Sequence, residues 1–387
     1  MRSQLEGSRA VAETVARCRP DVVCAYPISP QTHIVEALAE LSRTGELGAC
    51  EFVNVESEFA ALSVAIGASA TGARAYTATS SQGLLFMAEA LYNAAGLGLP
   101  IVMTVANRAL GAPLNIWNDQ SDSMSQRDSG WIQLYAESNQ HAVDLHLLAF
   151  RLAEELSLPV MVCMDGFVLT HAVEPVELPE SERVDRYLPA FVPRQRLDPD
   201  APLTIGAMVG PEAFTEVRYL AHITALSALE RIPVLAAELG GQDDGLVNPY
   251  RLDGAETVVV ALGSVLGTLK DTVDQLRAAG EPVGVLGLTA FRPFPAAAVR
   301  AALAGATRVV VLERAVATGV GGIVSADLGA ATAGLGLRQY TVVAGLGGRP
   351  VTRESLREPL TAALADRLAP LSFLDLDPGL LETALAT

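Results

Sequence analysis

Apolar runs of strand length recur through the first half of the chain, at residues 22–26, 52–55, 75–79, 101–105 and 160–164, with helical patterns between most of them. Alternation of this kind builds βαβ units, and βαβ units build a parallel sheet covered by helices. The pattern breaks over the Pro-rich, acidic stretch 171–202, which reads as a linker. A helical pattern then runs over 210–231, followed by a loop through Asn248 and Pro249, and a second alternation begins with strand-like runs at 257–262, 283–288, 308–312 and 340–343. The predicted organisation is two doubly wound α/β domains, 1–175 and 251–387, joined by a linker and bridging helix over 176–250. A length of 387 residues, 33 glycines and only 5% aromatic residues suits many short strands and Ala-rich helices joined by tight turns.

Composition removes several functional classes. A formal charge of −17 opposes binding to a phosphate backbone, which depends on Lys and Arg, so no nucleic-acid partner is predicted. The longest apolar stretches, such as 258–262 and 308–312, fall far short of the roughly 20 residues that span a bilayer. The N-terminal MRSQLEGSRAVAETVARCRP lacks the apolar core of an export signal and reads as an amphipathic first helix, which predicts no membrane association and a cytoplasmic location. Lys270 is the only lysine. A Walker-type phosphate loop is therefore absent, and a Schiff base could form only at Lys270, whose surroundings read as a solvated helix face. Cys18, Cys24, Cys50 and Cys163 form no CxxC spacing and read as reduced structural thiols. His33, His141, His146, His171 and His222 form no HxxxH or HExxH pair and read as structural or surface residues, with His171 the exception to watch because it follows a strand end.

Polar loops follow four successive strands. AYPISP, residues 25–30, places Pro27, Ile28, Ser29 and Pro30 in a stiff turn at the carboxyl end of the first strand, where open α/β sheets bind ligands. VESEF carries Glu56 and Glu58 across a strand-to-helix junction, so that one can face a crevice while the other faces solvent or caps the helix. TSSQG sets Ser80, Ser81, Gln82 and Gly83 at a helix start. ANRALG puts Asn107 and Arg108 at a strand end, where the guanidinium fork matches a carboxylate, either of a substrate or of Asp119 or Asp122 nearby. Each loop has an ordinary structural reading when taken alone.

Together, in this order and spacing, AYPISPQTHIVEALAE, VESEFAA, TSSQGLLFM, VANRALGAPLNIWNDQSD and MDGFVLTH resemble the α subunit of pyruvate and related 2-oxoacid:ferredoxin oxidoreductases, and the resemblance continues through FRPFP, LERAVATGVGG and GLGGRPVT. It implies that the first domain binds the aminopyrimidine half of thiamine diphosphate and that the second is transketolase C-terminal-like. It assigns Glu58 to the pyrimidine N1′, promoting the imino tautomer that activates the cofactor. It sets Pro27, Ile28, Ser81 and Gln82 around the cofactor, Arg108 on the substrate carboxylate, and Ser29 and Asn107 beside the substrate. Where the family usually has Thr, Ser29 keeps the hydroxyl and loses a methyl.

The chain lacks a GDG motif followed by Asn for Mg²⁺ and the diphosphate, and it lacks a cysteine quartet for a [4Fe–4S] cluster. The resemblance places both in a β subunit. It leaves room for γ and δ subunits and makes ferredoxin the electron acceptor and coenzyme A a co-substrate. The implied reaction is oxidative decarboxylation of a 2-oxoacid to acyl-CoA and CO₂. A non-oxidative thiamine decarboxylase or transketolase-like subunit shares the Glu58 chemistry, and a silent assembly subunit is the reading from a different class. Gly319, Gly321 and Gly322 follow a strand without completing GxGxxG, so they read as turns or interdomain packing rather than a dinucleotide site.

Overall fold

A computed structural model describes residues 2–240 and 244–385; residues 241–243, part of the loop expected through Asn248, lie outside the described residues. The chain divides into two compact units: 1–248 with 262–264 and 288–295, and 249–261 with 265–287 and 296–387. The segment 176–250, expected as linker and bridging helix, falls almost wholly in the first unit.

In the first unit the strands are β1 (Arg2–Glu6), β2 (Val22–Ala25), β3 (Glu51–Asn54), β4 (Ala75–Thr79), β5 (Ile101–Asn107), β6 (Ile132–Tyr135), β7 (Val160–Asp165) and β8 (Val173–Glu177). The helices are α1 (Gly7–Arg17), α2 (Thr32–Thr44), α3 (Glu58–Ala70), α4 (Ser81–Phe86), α5 (Ala88–Gly96), α6 (Ser121–Ser125), α7 (Asn139–Leu156), α8 (Ser181–Tyr187) and α9 (Phe214–Glu238). In the second unit and its approach come β9 (Val247–Tyr250), β10 (Thr257–Ala261), β11 (Val283–Leu288), β13 (Arg308–Glu313), β14 (Arg338–Val343) and β15 (Leu371–Phe373), with α10 (Val265–Ala278), α11 (Ala296–Leu303), α12 (Ile323–Ala331), α13 (Arg353–Leu364) and α14 (Pro378–Leu385), while β12 (Ala290–Arg292) returns to the sheet of the first unit.

The larger sheet has the order β12-β6-β7-β5-β4-β2-β3. Its strand pairs are parallel except β12 against β6. From β2 the chain first adds β3 on one side and then returns to add β4 on the other, so the winding reverses between β2 and β4. The crevice outside the carboxyl ends of strands at such a reversal is where open α/β sheets bind ligands. β4, β5 and β7 are buried at every residue, as strands covered on both faces must be.

The second sheet, β15-β14-β13-β10-β11-β9, is wound in the same way, with parallel pairing from β15 through to β11. Its core joins Val259, Val285, Val310 and Val342 to Leu266 and Leu269 of α10 and Leu356 and Leu360 of α13. The glycine-rich segment after β13 is a turn. Gly319 and Gly321 have φ +81° and +122°, and a Cβ on Gly322 would lie 2.5 Å from Glu313 Oε1. That carboxylate accepts the Ser325 N–H at 2.7 Å and occupies the start of α12. The protein's own anion thus fills the place where a dinucleotide fold holds phosphate.

Five local expectations are corrected. The loop expected through Asn248 and Pro249 holds β9, at the edge of the second sheet beside β11. The N-terminus opens as a strand, β1, because Arg2–Glu6 pairs antiparallel with Val173–Glu177, and the helix begins only at Gly7. The stretch 171–202 holds β8 and α8 as well as loop. The helix expected over 210–231 runs through Pro233 to Glu238, and Ile232, Leu235 and Ala236 are buried on its packed side. This α9 is long and apolar enough to cross a membrane by length and composition, at mean hydropathy 1.3, against the expectation that apolar runs stay strand-length. Its C-terminal half packs on α7 and is tied there by Arg231 and Glu155 at 2.7 Å, while Val217, Leu220, Ile223 and Leu226 are exposed.

Candidate active site

Glu58 and Glu56 separate as their alternating geometry requires. Glu56 is exposed and Glu58 is buried. The helix does not consume the Glu58 carboxylate as a cap, because Ser57 takes that role and accepts the Ala60 N–H at 3.2 Å. Among the described residues the Glu58 carboxylate receives no hydrogen bond. Its neighbour is the bare Cα of Gly83: a Cβ there would lie 2.7 Å from Glu58 Oε1 and 2.6 Å from Thr79 Oγ1. The Thr79 hydroxyl is itself fully buried without a partner. A buried acid and a buried hydroxyl facing one spot, both with hydrogen-bonding capacity unspent, form a built polar recess that a ligand would complete.

The turn after β2 is anchored from below. Gln31, fully buried, receives the Ile28 N–H at 3.2 Å and donates to the Ala78 carbonyl at 2.8 Å, fixing Pro27, Ile28 and Ser29 against the end of β4. Pro27 and Ser29 remain exposed. The Ser29 carbonyl accepts a hydrogen bond from Arg108 Nη1 at 2.8 Å. Arg108 also reaches the Asn115 carbonyl at 3.3 Å and Gln82 Oε1 at 3.5 Å. All three acceptors are neutral; burial lowers the guanidinium pKa, and the nearby Asp122 carboxylate acts against that fall. It makes no ion pair with Asp119 or Asp122; Asp119 instead accepts the Ser121 N–H at 3.0 Å.

Asp122 organises the centre, a role beyond the ion-pair partner expected of it. Its fully buried carboxylate accepts the Ser81 N–H and the Arg108 N–H at 2.9 Å, Asn107 Nδ2 at 2.8 Å and the Ser123 N–H at 2.7 Å. Burial pushes its pKa up to about 7, while the four donors pull against that rise. One carboxylate thereby fastens the start of α4 to the end of β5. Ser81 sits there at φ +50°, in the left-handed region unusual for a non-glycine residue, with its hydroxyl on the Ala109 carbonyl at 2.6 Å and also toward Gln82 Oε1. Asn107, expected beside the substrate, is fully buried, and its amide nitrogen is spent on Asp122 and Ser123. It positions Asp122. Gly166 permits the close approach of β7, since a Cβ would lie 2.4 Å from both the Asn107 carbonyl and Pro30 Cγ.

The recess thus joins Glu58, through Gly83 and Gln82 of one short helix, to Arg108 and the Ser29 turn. Around Glu58 the rim is apolar and uncovered: Phe59, Leu85 and Phe86 are exposed, with the two phenyl rings 6.1 Å apart. The cysteines lie outside this constellation as free thiols, and burial pushes Cys18 up to about 12 and Cys24 and Cys50 up to about 11, as suits inert thiols. His146 is fully buried, between the Ala142 carbonyl and Thr104 Oγ1, each at 2.6 Å.

Residues 13–235 match the thiamine diphosphate-binding domain of pyruvate flavodoxin/ferredoxin oxidoreductase, and 255–356 match pyruvate:ferredoxin oxidoreductase core domain II. The chain is 51% identical to pyruvate synthase subunit PorA of Methanosarcina barkeri, over 81% of this chain and 80% of that one. It is 40% identical to ketoisovalerate oxidoreductase subunit VorA of Pyrococcus abyssi, over 90% of each. Its fold is similar to that of 2-oxoglutarate:ferredoxin oxidoreductase from Magnetococcus marinus, with TM-score 0.75 and 21% identity, and the match covers 94% of this chain and 65% of that one. The chain belongs to the pyruvate flavodoxin/ferredoxin oxidoreductase family, the 2-oxoacid:ferredoxin class of thiamine diphosphate oxidoreductases.

Proposed function

We propose that this chain is the α subunit that supplies the pyrimidine side of a thiamine diphosphate site and the clamp for a 2-oxoacid carboxylate, in an enzyme whose site is completed by a second chain. The observation that carries this reading is the pairing of a buried carboxylate with no protein partner, Glu58, with a buried guanidinium held only by neutral acceptors, Arg108. Thiamine diphosphate, when bound, supplies the carbanion chemistry that decarboxylation of a 2-oxoacid requires. Glu58 would hold a proton against the pyrimidine N1′, and the bare Gly83 Cα lets its carboxylate lie close against α4. Arg108 binds and orients the substrate carboxylate, where a fork of two N–H groups matches two oxygens and costs no further reorganisation. The Ser29 hydroxyl, exposed on the anchored turn, lies on the substrate side. Asp122 and Asn107 keep these loops in register, and the apolar rim of Phe59, Leu85 and Phe86 excludes water once covered.

The remaining parts come from elsewhere: Mg²⁺, the diphosphate contacts and a [4Fe–4S] cluster from a β subunit, with γ and δ subunits as further places for electron carriers. The chain has neither the metal motif nor the cysteines for them. The net reaction takes a 2-oxoacid and coenzyme A to acyl-CoA and CO₂, and passes two electrons to ferredoxin. Pyruvate is the first candidate substrate, since the most similar relatives named are pyruvate synthases, and 2-ketoisovalerate is the second. Assaying the purified complex against a panel of 2-oxoacids with coenzyme A and a ferredoxin or viologen acceptor tests this. Acceptor reduction that requires both coenzyme A and a 2-oxoacid is expected. Release of CO₂ and aldehyde without any acceptor would instead identify a non-oxidative thiamine enzyme.

A further inference from the structure

Away from the thiamine recess, three residues remote in sequence meet at one point. Glu6 ends β1, His33 lies in the first turn of α2, and His171 follows β7 in the 164–171 loop. Their ligating atoms all lie within 4.8 Å of one another. His33 Nδ1 is 2.6 Å from Glu6 Oε1, and the two imidazole rings stack at 4.2 Å.

The surroundings orient these groups. The Thr170 hydroxyl, fully buried, receives the Phe167 N–H at 2.8 Å and lies 2.8 Å from His171 Nδ1, which leaves Nε2 of His171 free to ligate. Phe167 packs on the His171 ring at 4.9 Å and fixes its plane. A hydrogen-bond partner on one imidazole nitrogen is the usual arrangement of a ligating histidine, because it sets the tautomer that leaves the other nitrogen to bind the ion. A surface cavity of about 250 Å³, lined by Glu6, Arg9, His33, Glu36 and Glu40, opens beside Glu6 and His33.

We propose that Glu6, His33 and His171 form a binding site for a divalent transition-metal ion of the zinc class. Two imidazoles and one carboxylate are a standard three-ligand set for Zn²⁺, with water in the fourth position. Imidazole nitrogen favours zinc over Mg²⁺, which takes oxygen ligands, so this site is chemically separate from that of the diphosphate ion. Drawing the ligands in from 4.8 Å to tetrahedral spacing needs only side-chain rotation of Glu6 and His33, which are 34% and 46% exposed. Bound there, the ion ties β1, the helix that follows the Ser29 turn, and the 164–171 loop to one another.

The full-length chain, stripped with chelator, is titrated with Zn²⁺ by calorimetry in excess Mg²⁺, and its metal content is measured after dialysis. The result expected is one zinc per chain, insensitive to Mg²⁺, with tetrahedral visible bands when Co²⁺ replaces zinc. His33→Ala and His171→Ala each weaken binding at least tenfold. Glu6→Gln, at another partly exposed position, weakens it in the same direction, and Cys50→Ser leaves it unchanged. Absence of stoichiometric zinc, loss of binding in Cys50→Ser, or full affinity retained without both histidines would overturn the proposal.

Discussion

At the scale of single residues, the account rests on two side chains whose charges the protein positions but does not spend. Glu58→Gln keeps shape and hydrogen bonding but cannot accept and return a proton at N1′. Turnover should fall about 10²–10⁴-fold, the usual scale for a positioned acid–base group, with folding and assembly unchanged. Glu56→Gln should be silent, since that side chain is exposed. Near-normal turnover in Glu58→Gln with damage from Glu56→Gln would reverse the assignment. Arg108→Ala should cost about 2–5 kcal/mol in kcat/KM, the consequence of leaving a desolvated substrate carboxylate unpaired, while thiamine diphosphate affinity stays as it was. An equal loss of cofactor affinity would mean that Arg108 serves to hold the loops through Ser29 and Asn115. The sequence marked both residues because each sits at a strand end in an unusual polar loop. It did not mark the function of Asp122, whose partners Ser81, Asn107 and Arg108 lie 14 to 41 positions away and become neighbours only in the folded sheet.

Among elements, the short helix α4 is the hinge of the site, because its third residue must be glycine for Glu58 to lie where it does. Gly83→Ala places a methyl 2.6–2.8 Å from Thr79 Oγ1 and from Oε1 and Cγ of Glu58. The carboxylate has to move, at an overpacking cost of about 1–3 kcal/mol. Turnover and cofactor affinity should both fall while far-ultraviolet circular dichroism is retained; an unimpaired enzyme would show that Glu58 reaches the cofactor from another position. Helix α7 carries a separate, pH-dependent term. Burial lowers the pKa of His146 to about 4 from 6.5, so the unfolded chain takes up a proton on acidification before the folded one does. The stability held by neutral His146 is therefore present above pH 6.5 and lost as pH falls through about 4. The gap in unfolding free energy between the wild type and His146→Gln should narrow by about 3 kcal/mol over that window. The raised pKa of Asp122 acts in the opposite sense but equally in both proteins, so it cancels. A gap independent of pH would contradict a buried neutral imidazole.

The elements that could be read in advance were those whose side chains report burial directly: β4, β5, β7, β10 and β13 are nearly all apolar because both faces are covered. Strands β1, β6, β8, β9, β12 and β15 were not legible. They are three to five residues long and include polar or Pro positions, and what makes β1 and β8 strands is each other. The Glu6–His33–His171 cluster escaped for the same reason, because pair spacing along one helix is blind to ligands gathered from three segments.

At the scale of the whole molecule, the chain presents a polar recess with an apolar rim and further exposed apolar side chains along the first half of α9, surfaces suited to a subunit rather than an enzyme complete in itself. On the proposed reading it offers the pyrimidine-side groups, and the oxygen ligands that Mg²⁺ and a diphosphate require in near-octahedral geometry come from a second chain. A site divided in this way implies an obligate interface, on the order of 2,000 Å² or more, and cofactor affinity that belongs to the assembly. The direct test is calorimetric titration of thiamine diphosphate and Mg²⁺ into this chain alone and into the complex with its co-expressed partner. The account predicts little or no binding to the single chain and tight binding, abolished by Glu58→Ala, to the complex; micromolar binding by the single chain would contradict it.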